Sequence, residues 1–257
     1  MFGQNPIRKI DQAPTDGKLA VQEVFYTIQG EGPHAGCPAI FIRLAGCHLA
    51  CTFCDTEFES GINNRLTVDE VVHMAVMALP GLSRADSTRR PIVVMTGGEP
   101  LRQTTGLLIA NLLMAGFQLA QFETAGNLWD PSLEEHFKWG QLSSVELVVS
   151  PKTPHVHPMI HKYARHWKYI VRAGELVGDD GLPCSPTQKN QPMNCRLFRP
   201  WDAAEGRRRG EPDTIWVSPC DEHDVTLNGR NLKHATDLCL KFGYRLSLQT
   251  HKIIGVA

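Results

Sequence analysis

Short β-branched apolar runs alternate with longer amphipathic stretches along most of the chain. The run AIFIRLA, residues 39–45, reads as a strand, and TVDEVVHMAVMAL, residues 67–79, as an amphipathic helix. Thr67 followed by Glu70 has the capping-box pattern, and Pro80-Gly81 stops that helix. A strand at 92–96 (IVVMT), a helix over 101–116 (LRQTTGLLIANLLMAG) and a strand at 118–124 (QLAQFET) continue the alternation. Further strands are predicted at 144–150 (SVELVVS), 168–172 (KYIVR), 214–218 (TIWVS) and 244–250 (YRLSLQT), with a helix over 229–243 before the last. This order predicts an α/β fold with a mostly parallel sheet and right-handed crossovers, either open or curled toward a barrel. From 173 to 212 the pattern lapses into Pro, Gly and polar residues, which reads as a long loop or insertion. There is no internal repeat and no interdomain linker, and the basic run GRRRG at 206–210 reads as a solvated loop.

The 257 residues suffice for one large domain. A formal charge of −1 gives no global electrostatic reason to expect nucleic acid, so a small-molecule substrate is the default partner. The N-terminus lacks a signal-peptide apolar region, and no window approaches the roughly 18 apolar residues of a membrane span. A soluble, cytoplasmic protein is therefore expected. Without a secretion signal, the eight cysteines point to metal binding or catalysis rather than to a disulfide framework.

The residues that fit no core pattern follow strand after strand. They are Gly46-Cys47, Gly97 to Pro100, Ala125 to Asn127, Ser150 to Lys152, Ser218 to Asp221 and Thr250 to Lys252. In a parallel sheet the carboxyl ends share one edge, where α/β folds place ligands, so one composite site is predicted. Cys47, Cys51 and Cys54 form a C-x3-C-x2-C spacing. Three thiolates in one loop suit a 4Fe-4S cluster with one iron left open for a small molecule. A zinc site completed by His48, Cys37 or a distant thiol is the alternative.

With Phe53 just before the third cysteine, this loop resembles the signature of the radical S-adenosylmethionine superfamily, and TGGEP at 96–100 resembles its second motif. Finer matches are FYTIQGEGPHAGCPAIFIRLAGC, CDTEF, ETAG, VSPK and the terminal LSLQTHKIIGVA. They run from about Val24 to Ala257, are weakest at 153–213, and resemble the 7-carboxy-7-deazaguanine synthase family. The resemblance implies a partial (β/α) barrel of radical SAM type over 21–257, with residues 1–20 as an N-terminal extension and 173–212 as a variable insertion.

The resemblance also implies residue roles. Cys47, Cys51 and Cys54 would ligate the cluster; Gly98, Glu99, Thr124, Ser150, Pro151, Lys152, Ser218, Pro219, Cys220 and Asp221 would hold S-adenosylmethionine. The substrate, 6-carboxy-5,6,7,8-tetrahydropterin, would meet Ile28, Gln29, Gly30, Glu31, Arg43, Thr96, His251 and the α-carboxylate of Ala257. Thr56, beside Asp55, would be a Mg2+ ligand, and Thr56, Arg43 and His251 would stand at the reaction itself. The implied activity is radical conversion of the pterin to 7-carboxy-7-deazaguanine with loss of ammonia, in queuosine and 7-deazapurine biosynthesis. A flavodoxin- or ferredoxin-type electron donor and a homodimer are implied with it. A glycyl-radical-activating enzyme and a non-catalytic cluster protein are the rival classes. The motifs at five other strand ends argue against the latter. Cys184 and Cys195, at a C-x10-C spacing, have no recognised ligand pattern.

Overall fold

Six successive parallel pairings hold the molecule together. They join β2 (Pro38–Leu44), β4 (Ile92–Gly97), β5 (Ala120–Thr124), β6 (Val145–Val149), β7 (His166–Val171), β8 (Thr214–Pro219) and β9 (Arg245–Leu246). The structure is a computed structural model that describes residues 5–80, 91–137, 144–185, 187–188, 191, 195–202 and 213–256. The basic run at 206–210 and Ala257 lie outside the described residues. On the far side of β2, β1 (Leu19–Ile28) and β3 (Arg65–Leu66) add antiparallel, giving the order β3-β1-β2-β4-β5-β6-β7-β8-β9.

The parallel strands bury an apolar face under helices, while alternate residues such as Arg43, Thr96, Glu123 and Lys168 turn toward a cavity. Ile40, Ile42, Met95, Phe122, Val149, Trp167 and Val217 are all fully buried. On the outer face lie α1 (Val68–Met77), α2 (Gly106–Met114), α3 (Glu134–Phe137), α4 (Pro158–Tyr163) and α5 (Val225–Phe242). The first of these starts where the sequence predicts. The Thr67 hydroxyl accepts the Glu70 N–H at 3.2 Å, while the Glu70 carboxylate accepts the Thr67 N–H at 2.7 Å. Thr67→Ala removes one of these caps and is expected to cost about 1 kcal/mol in denaturant unfolding.

Three elements differ from the sequence pattern. β1 was not predicted as a strand. A bulge between Val21 and Glu23 shifts its inward and outward faces and breaks the two-residue alternation. Leu19 and Ala20, within the segment read as an extension, begin it. The helix expected over 101–116 is divided, because Glu99 caps a 3-10 turn at Pro100–Arg102 and α2 begins only at Gly106. The strand expected over 244–250 stops after Leu246. Its continuation turns into the mouth of the site as α6 (Thr250–Ile254).

That turn decides the shape of the sheet. Thr250 N–H donates to Gly30 O at 3.1 Å, and Gly32 N–H donates to Ser247 Oγ at 3.1 Å. The end of the first strand therefore meets the end of the last, and the sheet is curled but not closed by a ladder.

Candidate active site

All the parallel strands point their carboxyl ends at one cavity of about 730 Å3. Of the residues singled out in the sequence, Ile28, Gln29, Glu31, Arg43, Thr56, Thr96, Gly98, Glu99, Thr124, Ser150, Lys152, Ser218 to Asp221, His251 and the three cysteines line it. Gly30 and Pro151 stand behind the wall. A Cβ on Gly30 would sit 1.9 Å from His251 Nδ1, so this glycine lets the α6 histidine pack onto the backbone.

The cysteine loop follows β2 directly. Burial pushes the Cys47 thiol up to about 12, with the Glu99 charge adding to it, and burial likewise raises Cys51 and Cys54. Each sulfur is met by a donor. Leu49 N–H points to Cys47 Sγ at 3.4 Å, Gln188 Nε2 to Cys51 Sγ at 3.0 Å, and Asn5 Nδ2 to Cys54 Sγ at 3.8 Å. Phe53 is flanked by Lys152 and Arg172, whose charges lie 5.2 and 5.5 Å from its ring centroid.

The glycine pair after β4 runs against this loop. Gly46 O accepts the Glu99 N–H at 3.1 Å, and a Cβ on Gly98 would lie 2.2 Å from Gly46 O and 3.0 Å from Cys47 N. Gly98 thus lets two loops touch backbone to backbone. Gly98→Ala is expected to displace the cysteine loop and to lower turnover about 100-fold, the order that a misplacement of about 1 Å produces. Steady-state kinetics on the reconstituted variant would check it.

Glu99 is buried and held by three donors. Its carboxylate accepts from Thr124 Oγ1 at 2.7 Å, Ala125 N–H at 2.8 Å and Leu101 N–H at 3.1 Å. Burial raises its pKa nonetheless, and these hydrogen bonds pull the other way.

No family model matches the chain. A curated 7-carboxy-7-deazaguanine synthase from Rhodospirillum rubrum is 41% identical over 267 residues, covering 100% of both chains. The chain belongs to the 7-carboxy-7-deazaguanine synthase family. The enzyme of that name from Rickettsia prowazekii is 35% identical over 100% of this chain and 96% of its own. Among solved structures, QueE from Escherichia coli matches with a TM-score of 0.56 at 20% identity, covering 90% of this chain and 93% of that one. That likeness establishes the shared fold.

As a family member, the chain is a radical SAM lyase that carries a 4Fe-4S cluster and uses S-adenosylmethionine, and its residues fit both groups. Three free thiols front one cavity. This arrangement suits a cluster with one thiolate per iron. Of the groups that could complete a zinc site, neither His48 nor Cys37 lines the cavity, whereas the distant thiol of Cys220 does. The buried Glu99 carboxylate, held up in pKa by desolvation, is a fitting counter-charge for the methionyl ammonium.

This synthase-family site also contains groups that the sequence reading missed. Lys168 on β7 pairs with Glu31, both side chains being 12% exposed. Burial alone would raise the Glu31 carboxyl, but the Lys168 ammonium holds it below its ordinary range. Burial would lower Lys168, and Glu31 with Glu123 raises it instead. Glu123 on β5 accepts from Gln29 Nε2 at 3.0 Å and from Thr96 Oγ1 at 3.1 Å, so it orients two of the expected substrate contacts. Arg43 donates its Nε to Glu23 at 2.7 Å, a partner not foreseen. Over the mouth, Lys252 of α6 donates to Asp55 at 3.0 Å and Asp221 at 2.8 Å, tying the last helix to the cysteine loop and to the end of β8. Alternation of charge across strand ends signals none of these pairs, because each joins residues far apart in sequence.

Proposed function

We propose that this chain converts 6-carboxy-5,6,7,8-tetrahydropterin to 7-carboxy-7-deazaguanine with loss of ammonia. The observation that carries the reading is that Cys47, Cys51 and Cys54 line one cavity together with Gln29, Glu31, Thr96 and His251. When bound, the cluster and S-adenosylmethionine supply a 5'-deoxyadenosyl radical able to take a hydrogen atom from the substrate. The chain's own residues bind, orient and exclude water.

Gly98, Glu99, Thr124, the Ser150 to Lys152 turn and the Ser218 to Asp221 turn are assigned to S-adenosylmethionine. Ile28, Gln29, Gly30, Glu31, Arg43, Thr96 and His251 are assigned to the pterin. Glu123 places its carboxylate beside the Gln29 and Thr96 polar atoms, and the Glu31 carboxylate lines the same cavity, acceptors suited to the amino and ring N–H groups of a pterin. Arg43, Lys168 and His251 supply the donors that a substrate carboxylate needs. Burial lowers the His251 pKa, which favours a neutral imidazole at neutral pH. Thr56, whose hydroxyl donates to Asp55 Oδ1 at 3.3 Å, is assigned to Mg2+, which retains waters and accepts few protein oxygens. Removing divalent ions with a chelator should lower turnover, and added Mg2+ should restore it.

The Ala257 carboxylate is assigned to the pterin ring, on the basis that α6 brings His251 and Lys252 into the cavity wall a few residues earlier. Unchanged turnover in a chain with a C-terminal tag would remove that assignment. A flavodoxin- or ferredoxin-type donor docking near the cysteine loop, a homodimer and a cytoplasmic setting complete the reading. Among the described residues no helix is long and apolar enough to cross a membrane.

The deciding experiment is anaerobic. The reconstituted protein is given dithionite, S-adenosylmethionine, Mg2+ and 6-carboxytetrahydropterin, and 7-carboxy-7-deazaguanine is sought by mass spectrometry. Product over many turnovers supports the assignment. If 5'-deoxyadenosine accumulates without it, the substrate is wrong and an activating enzyme becomes the better reading.

A further inference from the structure

The donors to the three thiols come from three different parts of the chain. Leu49 belongs to the cysteine loop itself, Gln188 to the 173–212 insertion and Asn5 to the N-terminal segment. The last two stretches are both docked on the loop by backbone bonds. Thr52 N–H donates to Thr187 O at 2.9 Å, and Arg8 N–H to Cys47 O at 2.7 Å.

The Gln188 amide is fixed with its nitrogen toward the sulfur. Its Oε1 accepts the Ala50 N–H at 2.7 Å, so the group that remains to face Cys51 is the NH2. One amide hydrogen points to Cys51 Sγ at 3.0 Å and the other to Thr187 Oγ1 at 3.2 Å. The turn beneath is held in place as well. Gln191 Oε1 accepts from the Thr187 and Gln188 N–H groups at 2.8 and 3.1 Å, and its Nε2 donates to Lys152 O at 3.0 Å. Thr187 Oγ1 also donates to Lys152 O, at 2.6 Å. A flexible surface glutamine has no comparable set of partners.

We propose that Gln188 is a positioning residue that raises the reduction potential of the cluster through its hydrogen bond to the Cys51 sulfur. The inference rests on Cys51 being a cluster ligand. An N–H donor draws electron density from a thiolate and stabilises the more negatively charged, reduced cluster. Gln188, at 3.0 Å, acts more strongly than Asn5, whose contact with Cys54 is 3.8 Å long. The insertion thereby makes the cluster of this chain easier to reduce.

The test is a redox titration of the reconstituted holoenzyme, read by electron paramagnetic resonance of the reduced cluster, for wild type, Gln188→Met and Gln188→Glu. Met keeps the length and removes the donor. Its reduction equilibrium should become about tenfold less favourable, about 59 mV for a one-electron couple. Glu keeps the acceptor for Ala50 and puts an anionic oxygen beside the sulfur, so its fall should be larger. Unchanged potentials in both variants at full iron content would overturn the inference. Loss of the cluster from both would also overturn it, in favour of a purely structural clamp. A wild-type chain that takes up no cluster would sink the functional reading itself, an outcome distinguishable from either of these.

Discussion

Cys51→Ala abolishes turnover and leaves the fold standing. Cys51 sits half-buried on a loop outside the apolar core, and the partner its sulfur loses is the Gln188 amide. The expected stability change is about 1 kcal/mol, the centre of the range for point substitutions. Activity should drop to background, because the cluster loses one of the three thiolates of its loop. The same holds for Cys47 and Cys54. Cys239→Ala, on α5 and away from the cavity, is the matched control and should keep both cluster and turnover. Iron and sulfide content, the resonance signal of the reduced cluster and product mass spectrometry would be measured on each. Retained turnover in any of the three loop variants would reject the cluster assignment.

The largest stability effect is expected from Lys168→Met. The Lys168 ammonium and the Glu31 carboxylate are both buried, and each holds the other in its charged form. Removing the cation leaves a buried acid without its counter-charge, which typically costs 3–5 kcal/mol. The pH dependence separates this cause from lost packing. In the wild type the Glu31 pKa is lowered, so its contribution is present above the unfolded carboxyl value and fades as pH falls through the folded one. In Lys168→Met, burial raises that pKa and only the Gln249 hydrogen bond and the His251 charge are left to oppose it. The deficit should then be greatest near neutral pH and shrink as acid protonates Glu31. The double variant Lys168→Met with Glu31→Gln should recover most of the loss. Denaturant unfolding at two pH values would show it, and a deficit independent of pH would point to packing instead.

The chemistry was more legible in the sequence than the polar framework behind it. Cysteine spacing and the residues after each strand are local, and local patterns survive reading without a structure. Glu123, Lys168, Gln188 and Asn5 carry no such mark, since their partners are 27 to 137 residues away along the chain. The two mistaken or missed strands have separate physical origins. β1 hides behind its bulge, and after a last bond from Ser247 N–H to Val217 O the strand-like residues 247–250 turn to the first strand, Ser247 Oγ accepting the Gly32 N–H and Thr250 N–H donating to Gly30 O. Tertiary partners overrode β-propensity there, as they often do at a sheet edge.

That seam between residues 30–32 and 247–250 is also where the curled sheet is fastened by individual bonds rather than by a ladder. Segments held this way open at a free energy well below that of global unfolding. Amide hydrogens of α6 should therefore exchange with solvent long before those of β4 and β5, whose strands sit at the centre of the sheet. Lys252 of α6 also bonds Asp55, next to Cys54, so an opening of the C-terminal seam loosens the edge of the cysteine loop as well, and entry of ligand is coupled to exposure of the thiols.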